Sequence, residues 1–227
     1  MLAAGIDLGG RTTGTTAMAW VNGPAGTRPR VREVRAGATL RSDAQVLTEL
    51  GQPGVVALDA PLTLPHPVVC SDADCPECFP EDGATPAYGS RPNLDGVTAW
   101  KAVGHVEKGP MATVMLAGIA FRAIYLARLL RRAGLRVIEA WPMGAYRAIA
   151  RSPEVSSRGD EGDDEWRRAL LATRVDGLEG AVRPGERAER DRLDAIAAAY
   201  VGWLWLGRRA RSVPPGADRD GEAIWIP

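Results

Sequence analysis

The chain has 227 residues, of which 45% are hydrophobic and 25% are charged. This composition predicts a globular protein and excludes global disorder and fibrous repeats. Lysine and arginine together number 28, as do aspartate and glutamate, so a strongly basic nucleic-acid-binding coat is excluded. A polyanionic partner would have to meet a local basic patch or metal ions held on carboxylates.

The sequence up to residue 58 predicts strands that form a sheet. Short apolar runs separated by turn residues predict three strands, at 3–8, 14–21 and 30–36. Ser42 is expected to cap a short helix that ends at Leu50, and a buried strand is expected at 54–58. Three strands followed by alternating helices and strands predict an α/β protein with a mixed sheet.

A stretch rich in proline and cysteine follows at 60–109. We expect an irregular insertion there, with one short helix near 95–103, inside a single domain that spans 1–227. Apolar residues at helical spacing predict a long helix at 111–133, which Gly134 ends. The remaining predictions are a strand at 135–141, an acidic loop at 156–165, helices at 166–175 and 186–206, and an edge strand at 223–226.

The cysteines and the first residues of the sequence indicate the cellular compartment of the protein. Cys70, Cys75 and Cys78 are odd in number and close together, which favours a reducing compartment over a disulfide framework. The first residues lack the basic region of a secretory signal, and the apolar runs at 109–121 and 195–207 are too short to span a bilayer. We therefore expect a cytoplasmic protein without a membrane partner.

Acidic residues stand where apolar runs end. Asp7, Asp59 and Glu139 each interrupt or end a predicted strand, and Asp191 and Asp194 share one face at the start of the last helix. Carboxylates are rarely buried unless they are paired or bound to metal. If the strand ends converge, two Mg²⁺ or Mn²⁺ ions would offset the repulsion, and such a pair cleaves phosphodiester bonds. Asp7, Asp59 and Asp194 are the predicted metal ligands, which Asp191 and Glu139 would supplement.

Other interpretations of the same acidic residues stay open at this point. Asp7 before two glycines is also typical of a turn, and Asp59 before Ala-Pro is also typical of a cap. Glu139 could instead pair with an arginine. Asp191 and Asp194 could interact with the dipole at a helix N-terminus.

The motifs that contain these acids resemble domain-of-unknown-function family 429, described as predicted nucleases of RNase H-like fold related to Holliday-junction resolvases. The motifs are Gly-Ile-Asp7-Leu-Gly-Gly-Arg11-Thr-Thr-Gly14, Leu-Asp59-Ala-Pro-Leu-Thr-Leu-Pro, Val-Ile-Glu139-Ala-Trp-Pro, Asp191-Arg-Leu-Asp194-Ala and a closing Ile-Trp-Ile-Pro.

The resemblance implies an RNase H-like α/β fold with a central five-stranded mixed sheet flanked by helices, and here with the Pro/Cys-rich insertion after strand four. In RNase H-like nucleases the first acid lies on strand one, which matches Asp7, and the second at the end of strand four, which matches Asp59. The last lies at the start of the final helix, which matches Asp191 and Asp194.

The leading hypothesis is therefore a metal-dependent phosphodiester hydrolase that acts on nucleic acid or a small nucleotide. Arg11, Arg91 and Lys101 are candidate substrate-binding residues, and Lys108 is a candidate catalytic residue that would balance charge on the phosphate. Lysine offers a compact charge to phosphate, whereas arginine offers a planar fork for bidentate contacts.

Two other functions are also compatible with the sequence. The first motif resembles phosphate-binding loops of the sugar-kinase, actin and chaperone ATPase superfamily, in which Gly9, Gly10 and Gly14 would let the backbone approach a phosphate. That resemblance implies a nucleotide-binding or phosphotransfer protein. The insertion offers a different site, because Cys75 and Cys78 have zinc-ligand spacing, with Cys70 and His66 as further ligands. A structural Zn²⁺ there would support a catalytically silent binding module.

Overall fold

The computed structural model describes residues 1–9, 16–36, 42–60, 62, 110–155, 159–213 and 224–227, and in its longest helix it describes the side chains of 119 and of 121 onward. The strands within these ranges are β1 (Leu2–Asp7), β2 (Ala17–Asn22), β3 (Arg30–Ala36), β4 (Val55–Asp59), β5 (Val137–Ala140), β6 (Arg211–Val213) and β7 (Ile224–Ile226). The helices are α1 (Asp43–Leu50), α2 (Pro110–Arg132), α3 (Pro142–Ala150), α4 (Asp164–Ala172), α5 (Leu178–Ala181) and α6 (Glu189–Leu206).

All of these strands belong to one mixed sheet, in the order β3-β2-β1-β4-β5-β7-β6. β1, β4, β5 and β7 pair in parallel, whereas β2 is antiparallel to β1 and β3, and β6 is antiparallel to β7. The expected α/β class with a mixed sheet flanked by helices is confirmed. Because parallel strands point the same way, the carboxyl ends of β1, β4 and β5 meet at one edge of the sheet.

The expected count of five strands is wrong, because the described residues form seven. β7 was expected at the sheet edge, but it lies between β5 and β6. The edge strand β6 pairs Arg211 with Ile226 and Val213 with Ile224. A three-residue Arg-Ser-Val segment carries no alternating pattern that would have predicted it. The expected insertion at 60–109 lies outside the described residues, apart from 60 and 62.

Local signals explain where two helices begin. The side chain of Ser42 accepts a hydrogen bond from the Gln45 N–H at 3.2 Å, and Gln45 Oε1 accepts one from the Ser42 N–H at 3.1 Å. This capping box starts α1 as predicted. Asp163 Oδ1 accepts a hydrogen bond from the Trp166 N–H at 2.6 Å. That cap starts α4 at Asp164, inside the segment expected to be an acidic loop.

The sequence did not predict α3. Pro142 was interpreted only as the end of a strand, yet it occupies the first turn of this helix. Proline is tolerated there because the N–H that it lacks would have no partner inside the helix. The helix expected at 186–206 begins at Glu189 instead. The long helix α2 closely matches its prediction, and Gly134 follows it with a φ of +83°.

The sheet is covered on both faces. α6 packs across β1, β2 and β4 on one face, and α3 and α4 pack against α6. The core on the other face joins α1, α2 and strand residues such as Ile6, Leu58 and Val137. None of the helices, over their described residues, is long and apolar enough to cross a membrane.

Gly5 sets how closely α6 approaches the sheet. A Cβ atom at Gly5 would lie 2.8 Å from the Ala199 Cα atom, and closer still to the backbone of Ala195. Only glycine permits this approach, which real Cβ atoms do not tolerate. The close approach matters for the site because Gly5 precedes Asp7 by two residues and Ala195 directly follows Asp194.

Candidate carboxylate site

Asp7 and Asp59 are neighbours at the carboxyl edge of the sheet. Each is the last residue of its strand, and the two are paired in the parallel register of β1 and β4. Adjacent strands lie about 4.8 Å apart, and paired residues point to the same face. Side chains alternate along a strand, so Asp7 shares the face of Gly5, which is the face covered by α6.

The first turns of α6 bring two further carboxylates toward this pair. Asp194 lies one residue before Ala195, where the helix touches Gly5, and Asp191 lies one turn earlier. Asp7, Asp59, Asp191 and Asp194 are all partly buried, and the side chain of Asp194 is 16% exposed. The structure therefore brings together four of the five predicted acidic residues.

The clustering shows in the electrostatics of Asp7. Burial raises the pKa of Asp7 well above its ordinary value, and the negative charges of Asp59, Asp194 and Asp191 raise it further. The Arg167 guanidinium acts in the opposite direction. Like charges raise a carboxyl pKa in this way only when they are close in space.

Asp194 and Asp191 are also shifted upward. Burial is the main cause of the raised pKa of Asp194, which the Arg167 guanidinium and the Tyr146 hydroxyl partly offset. Burial likewise raises the pKa of Asp191, which the Arg190 guanidinium partly offsets. All three shifts mean that holding negative charge at this edge of the sheet is costly without a compensating cation.

Arg167 is a site residue that the sequence analysis missed. Its Nη1 donates to Asp194 Oδ2 at 2.6 Å, and the residue is only 6% exposed. Arg167 belongs to the buried face of α4, together with Trp166, Leu170 and Leu171. An arginine at a position that helical spacing assigns to the core is the signal that would have identified it, because arginine is rarely buried without a partner.

Tyr146 packs against the ion pair of Arg167 and Asp194. Tyr146 is fully buried. Its ring centroid lies 5.8 Å from the ring centroid of Trp166 and 5.5 Å from the guanidinium carbon of Arg167. Burial raises the pKa of Tyr146 well above its ordinary value, and the nearby charge of Asp194 adds to the rise. A neutral hydroxyl is therefore held beside a carboxylate. Tyr146 comes from α3, which the sequence did not predict.

Glu139 is placed differently from the other acids. It pairs with Leu58 rather than with Asp59, and the neighbouring Ile138 faces the α6 side, so Glu139 points to the opposite face. Its Oε2 accepts a hydrogen bond from the Leu62 N–H at 2.9 Å, and the residue is buried. This contact holds the backbone that follows Asp59.

Replacing Glu139 with glutamine is expected to preserve folding, because an amide oxygen can still accept the Leu62 N–H. Replacing it with alanine leaves that buried N–H without its acceptor, at a cost of about 1–3 kcal/mol. Urea unfolding of both variants measures the difference. Equal loss of stability in the two variants would contradict the assigned role of this hydrogen bond.

Hydrogen bonds from Arg122 hold both ends of the glycine- and threonine-rich segment between β1 and β2. The buried Arg122 of α2 donates from Nη1 to the Gly9 carbonyl and to Thr16 Oγ1, and from Nε to Asp43 Oδ1 at 2.8 Å. Residues 10–15 between these ends lie outside the described residues. The predicted phosphate-binding loop therefore lies outside the described residues, and Arg122 fixes its two ends to α2.

The remaining predicted site residues also lie outside the described part of the chain. They are the substrate-binding candidates Arg11, Arg91 and Lys101, the catalytic candidate Lys108, and the zinc-ligand candidates His66, Cys70, Cys75 and Cys78.

The described carboxylates suit a hard divalent cation such as Mg²⁺ or Mn²⁺ in their chemistry. Asp194 Oδ1 is buried and accepts no hydrogen bond of ordinary geometry from the described residues, although the Tyr146 hydroxyl lies close to this carboxylate, so a bound cation would satisfy it. Within the same residues, no three His, Cys, Asp or Glu side chains already converge on one coordination point. The donor set therefore fits the ion, but the side chains would have to rotate toward one another to share it.

Fold and site together define an α/β protein with a seven-stranded mixed sheet and an acidic site at the carboxyl edge of its parallel strands. The chain belongs to the family described as "Protein of unknown function (DUF429)", whose model matches residues 5–219. The resemblance seen in the sequence motifs is thereby confirmed.

No curated protein sequence matches the chain. Among solved structures, the chain is similar to that of Thermus thermophilus RuvC, with 18% identity over 91% of this chain and 96% of that chain and a TM-score of 0.42.

Proposed function

We propose that this chain is a divalent-cation-dependent phosphodiester hydrolase of RNase H-like fold that acts on nucleic acid or a small nucleotide. One observation carries the proposal: Asp7 and Asp59 stand side by side at adjacent strand ends, and Asp194 faces them from the helix packed on β1. A partly buried acid such as Asp7, whose pKa is raised by burial and by neighbouring carboxylates, is typical of a functional site.

The placement of the acids supports the RNase H-like assignment. Asp7 ends the first strand, Asp59 ends the fourth, and Asp191 and Asp194 lie in the first turns of the last helix. These are the positions that the family resemblance implies for the catalytic acids. β1 is central in the run β3-β2-β1-β4-β5, so it can receive a helix on one face and the site at its end.

In the proposed mechanism, Asp7, Asp59 and Asp194 would hold Mg²⁺ or Mn²⁺ through their carboxylate oxygens. A divalent ion bound there would supply Lewis acidity and lower the pKa of a water molecule. Asp191, one helical turn from Asp194 and on the same side, would hydrogen-bond to the attacking water. Packing of α6 on Gly5 excludes bulk water from the inner side of Asp7 and keeps its carboxylate at the sheet edge.

Residues around the carboxylates have supporting roles in the proposal. Glu139 acts as a positioning residue, since its bond to the Leu62 N–H fixes the chain that leaves Asp59. Arg11, Arg91, Lys101 and Lys108 remain the candidates for contacts to the phosphate groups of the substrate.

The proposal is tested by a cleavage screen with purified protein. Labelled single-stranded, duplex, hybrid and junction substrates would be incubated with Mg²⁺, Mn²⁺ or chelator, with the Asp7→Asn/Asp194→Asn double variant as the matched control. We expect cleavage by the wild type alone, and its loss in chelator. Cleavage that persists in the double variant would contradict the assigned site. Saturable ATP binding without cleavage would favour the phosphotransfer alternative, and one equivalent of Zn²⁺ without turnover would favour the binding module.

A further inference from the structure

We propose that Arg167 is a resident cation of the carboxylate site, which pairs with Asp194 in the ion-free protein and is exchanged for the divalent cation when that cation binds. The inference rests on the proposed function in one respect: it assumes that the carboxylates take up a divalent cation.

The contacts of Arg167 show that it is built into the site. Its Nη1 lies 2.6 Å from Asp194 Oδ2, and the two side chains are 8% and 16% exposed. The guanidinium lies over the buried ring of Tyr146. Arg167 Nε and Asp194 Oδ1 are both buried without a hydrogen-bond partner among the described residues. The pair therefore leaves donor and acceptor capacity unused on each side, unlike a closed bidentate arginine–carboxylate pair.

The other arginine near the carboxylates is held outside the site. Arg190 directs its Nε toward Asp164 Oδ1 at 3.0 Å, and its side chain is 57% exposed. Arg167 therefore differs from Arg190 in contacting a predicted metal ligand directly.

A divalent cation and the guanidinium would compete for the same carboxylate. Oδ2 of Asp194 is the oxygen that Arg167 occupies, and two cations sharing one carboxylate repel each other strongly in a half-buried site. Through this exchange, a positive charge offsets the negative charge of Asp7, Asp59, Asp191 and Asp194 both with and without the bound ion. Without the ion, the Arg167 guanidinium contacts Asp194; with the ion, the ion takes over that contact.

The test is calorimetric titration of Mn²⁺ into five proteins: wild type, Arg167→Ala, Arg167→Gln, Arg28→Ala and Asp7→Asn/Asp194→Asn. Arg28 forms a half-exposed ion pair with Asp176 at 3.2 Å and is the matched control for loss of an arginine. Removing the guanidinium that competes with the ion for Asp194 should lower the Kd for Mn²⁺ at least about tenfold. We expect this tightening in both Arg167 variants and an unchanged Kd in Arg28→Ala. Arg167→Gln keeps an N–H donor, so it serves if the alanine variant does not fold.

Thermal melts separate this role from a merely structural one. In chelator, Arg167→Ala should melt below the wild type, and saturating Mn²⁺ should remove most of the difference. An equal deficit with and without Mn²⁺, or an unchanged or weaker affinity, would overturn the exchange and leave the proposed hydrolase intact. Failure of every protein to bind Mn²⁺, or binding that survives in Asp7→Asn/Asp194→Asn, would overturn both.

Discussion

Asp7→Asn is expected to abolish divalent-cation-dependent cleavage while the protein stays folded and melts at a higher temperature. Asparagine keeps the shape of the side chain at the end of β1, but it removes the charge that would hold the ion. Loss of a central catalytic group should lower turnover by at least about a thousandfold. The cleavage assay measures this loss, and circular dichroism verifies that the variant is folded.

The gain in stability follows from the pKa of Asp7. Burial and the neighbouring carboxylates raise this pKa in the folded protein above its value in the unfolded chain. The folded state therefore binds the proton more tightly, and the resulting stabilisation is present below the unfolded pKa and is lost as pH rises through the folded pKa. Above that range the wild type carries the cost of a buried charge, which the neutral amide avoids.

Melting curves of wild type and Asp7→Asn over a range of pH, in chelator, measure this effect. The two Tm values should converge under acidic conditions and diverge in favour of the variant as the pH rises. Each kcal/mol recovered corresponds to about 2–4 °C in a chain of this size. A variant that melts below the wild type at high pH, or that cleaves at the wild-type rate, would contradict the assignment of Asp7.

Gly5→Ala is expected to destabilise the protein by about 3 kcal/mol or more. The added methyl group would collide with the backbone of Ala195 and Ala199, and backbone atoms cannot move aside as a flexible side chain can. The helix α6 must then lift from β1. Because Asp194 adjoins Ala195, the same movement would separate Asp194 from Asp7 and weaken the site.

Urea unfolding of Gly5→Ala and of a matched Gly180→Ala variant measures this effect. A Cβ atom at Gly180 would have no neighbour within 4 Å, so that variant should be as stable as the wild type or slightly more stable. Equal stability of both variants and the wild type would show that α6 does not depend on the close approach to Gly5.

The carboxylate pair could be predicted because it depends on local patterns. An apolar run that ends on an acid places the acid at the end of a strand, and parallel strands align such ends. The same reasoning fails for Glu139. The sequence does not determine the register between β4 and β5, and pairing of Glu139 with Leu58 instead of Asp59 turns it to the other face.

Arg167 and Tyr146 could not be predicted for a different reason. They reach Asp194 from α4 and α3, which are separated from α6 in sequence and become its neighbours only by packing. The α3 helix also begins with a proline that, in the sequence, reads as the end of a strand. The strand β6 was missed because it gains its conformation from pairing with β7 rather than from its own three residues.

The most direct measurement of the central claim is anomalous X-ray scattering from crystals of the protein soaked in Mn²⁺. Our account predicts a manganese peak at the carboxyl edge of the sheet, with oxygens of Asp7, Asp59 and Asp194 at about 2.0–2.2 Å, and its disappearance in Asp7→Asn/Asp194→Asn crystals soaked in the same way. A fully soaked wild-type crystal with no peak at these carboxylates, or with its only peak elsewhere in the protein, would contradict it.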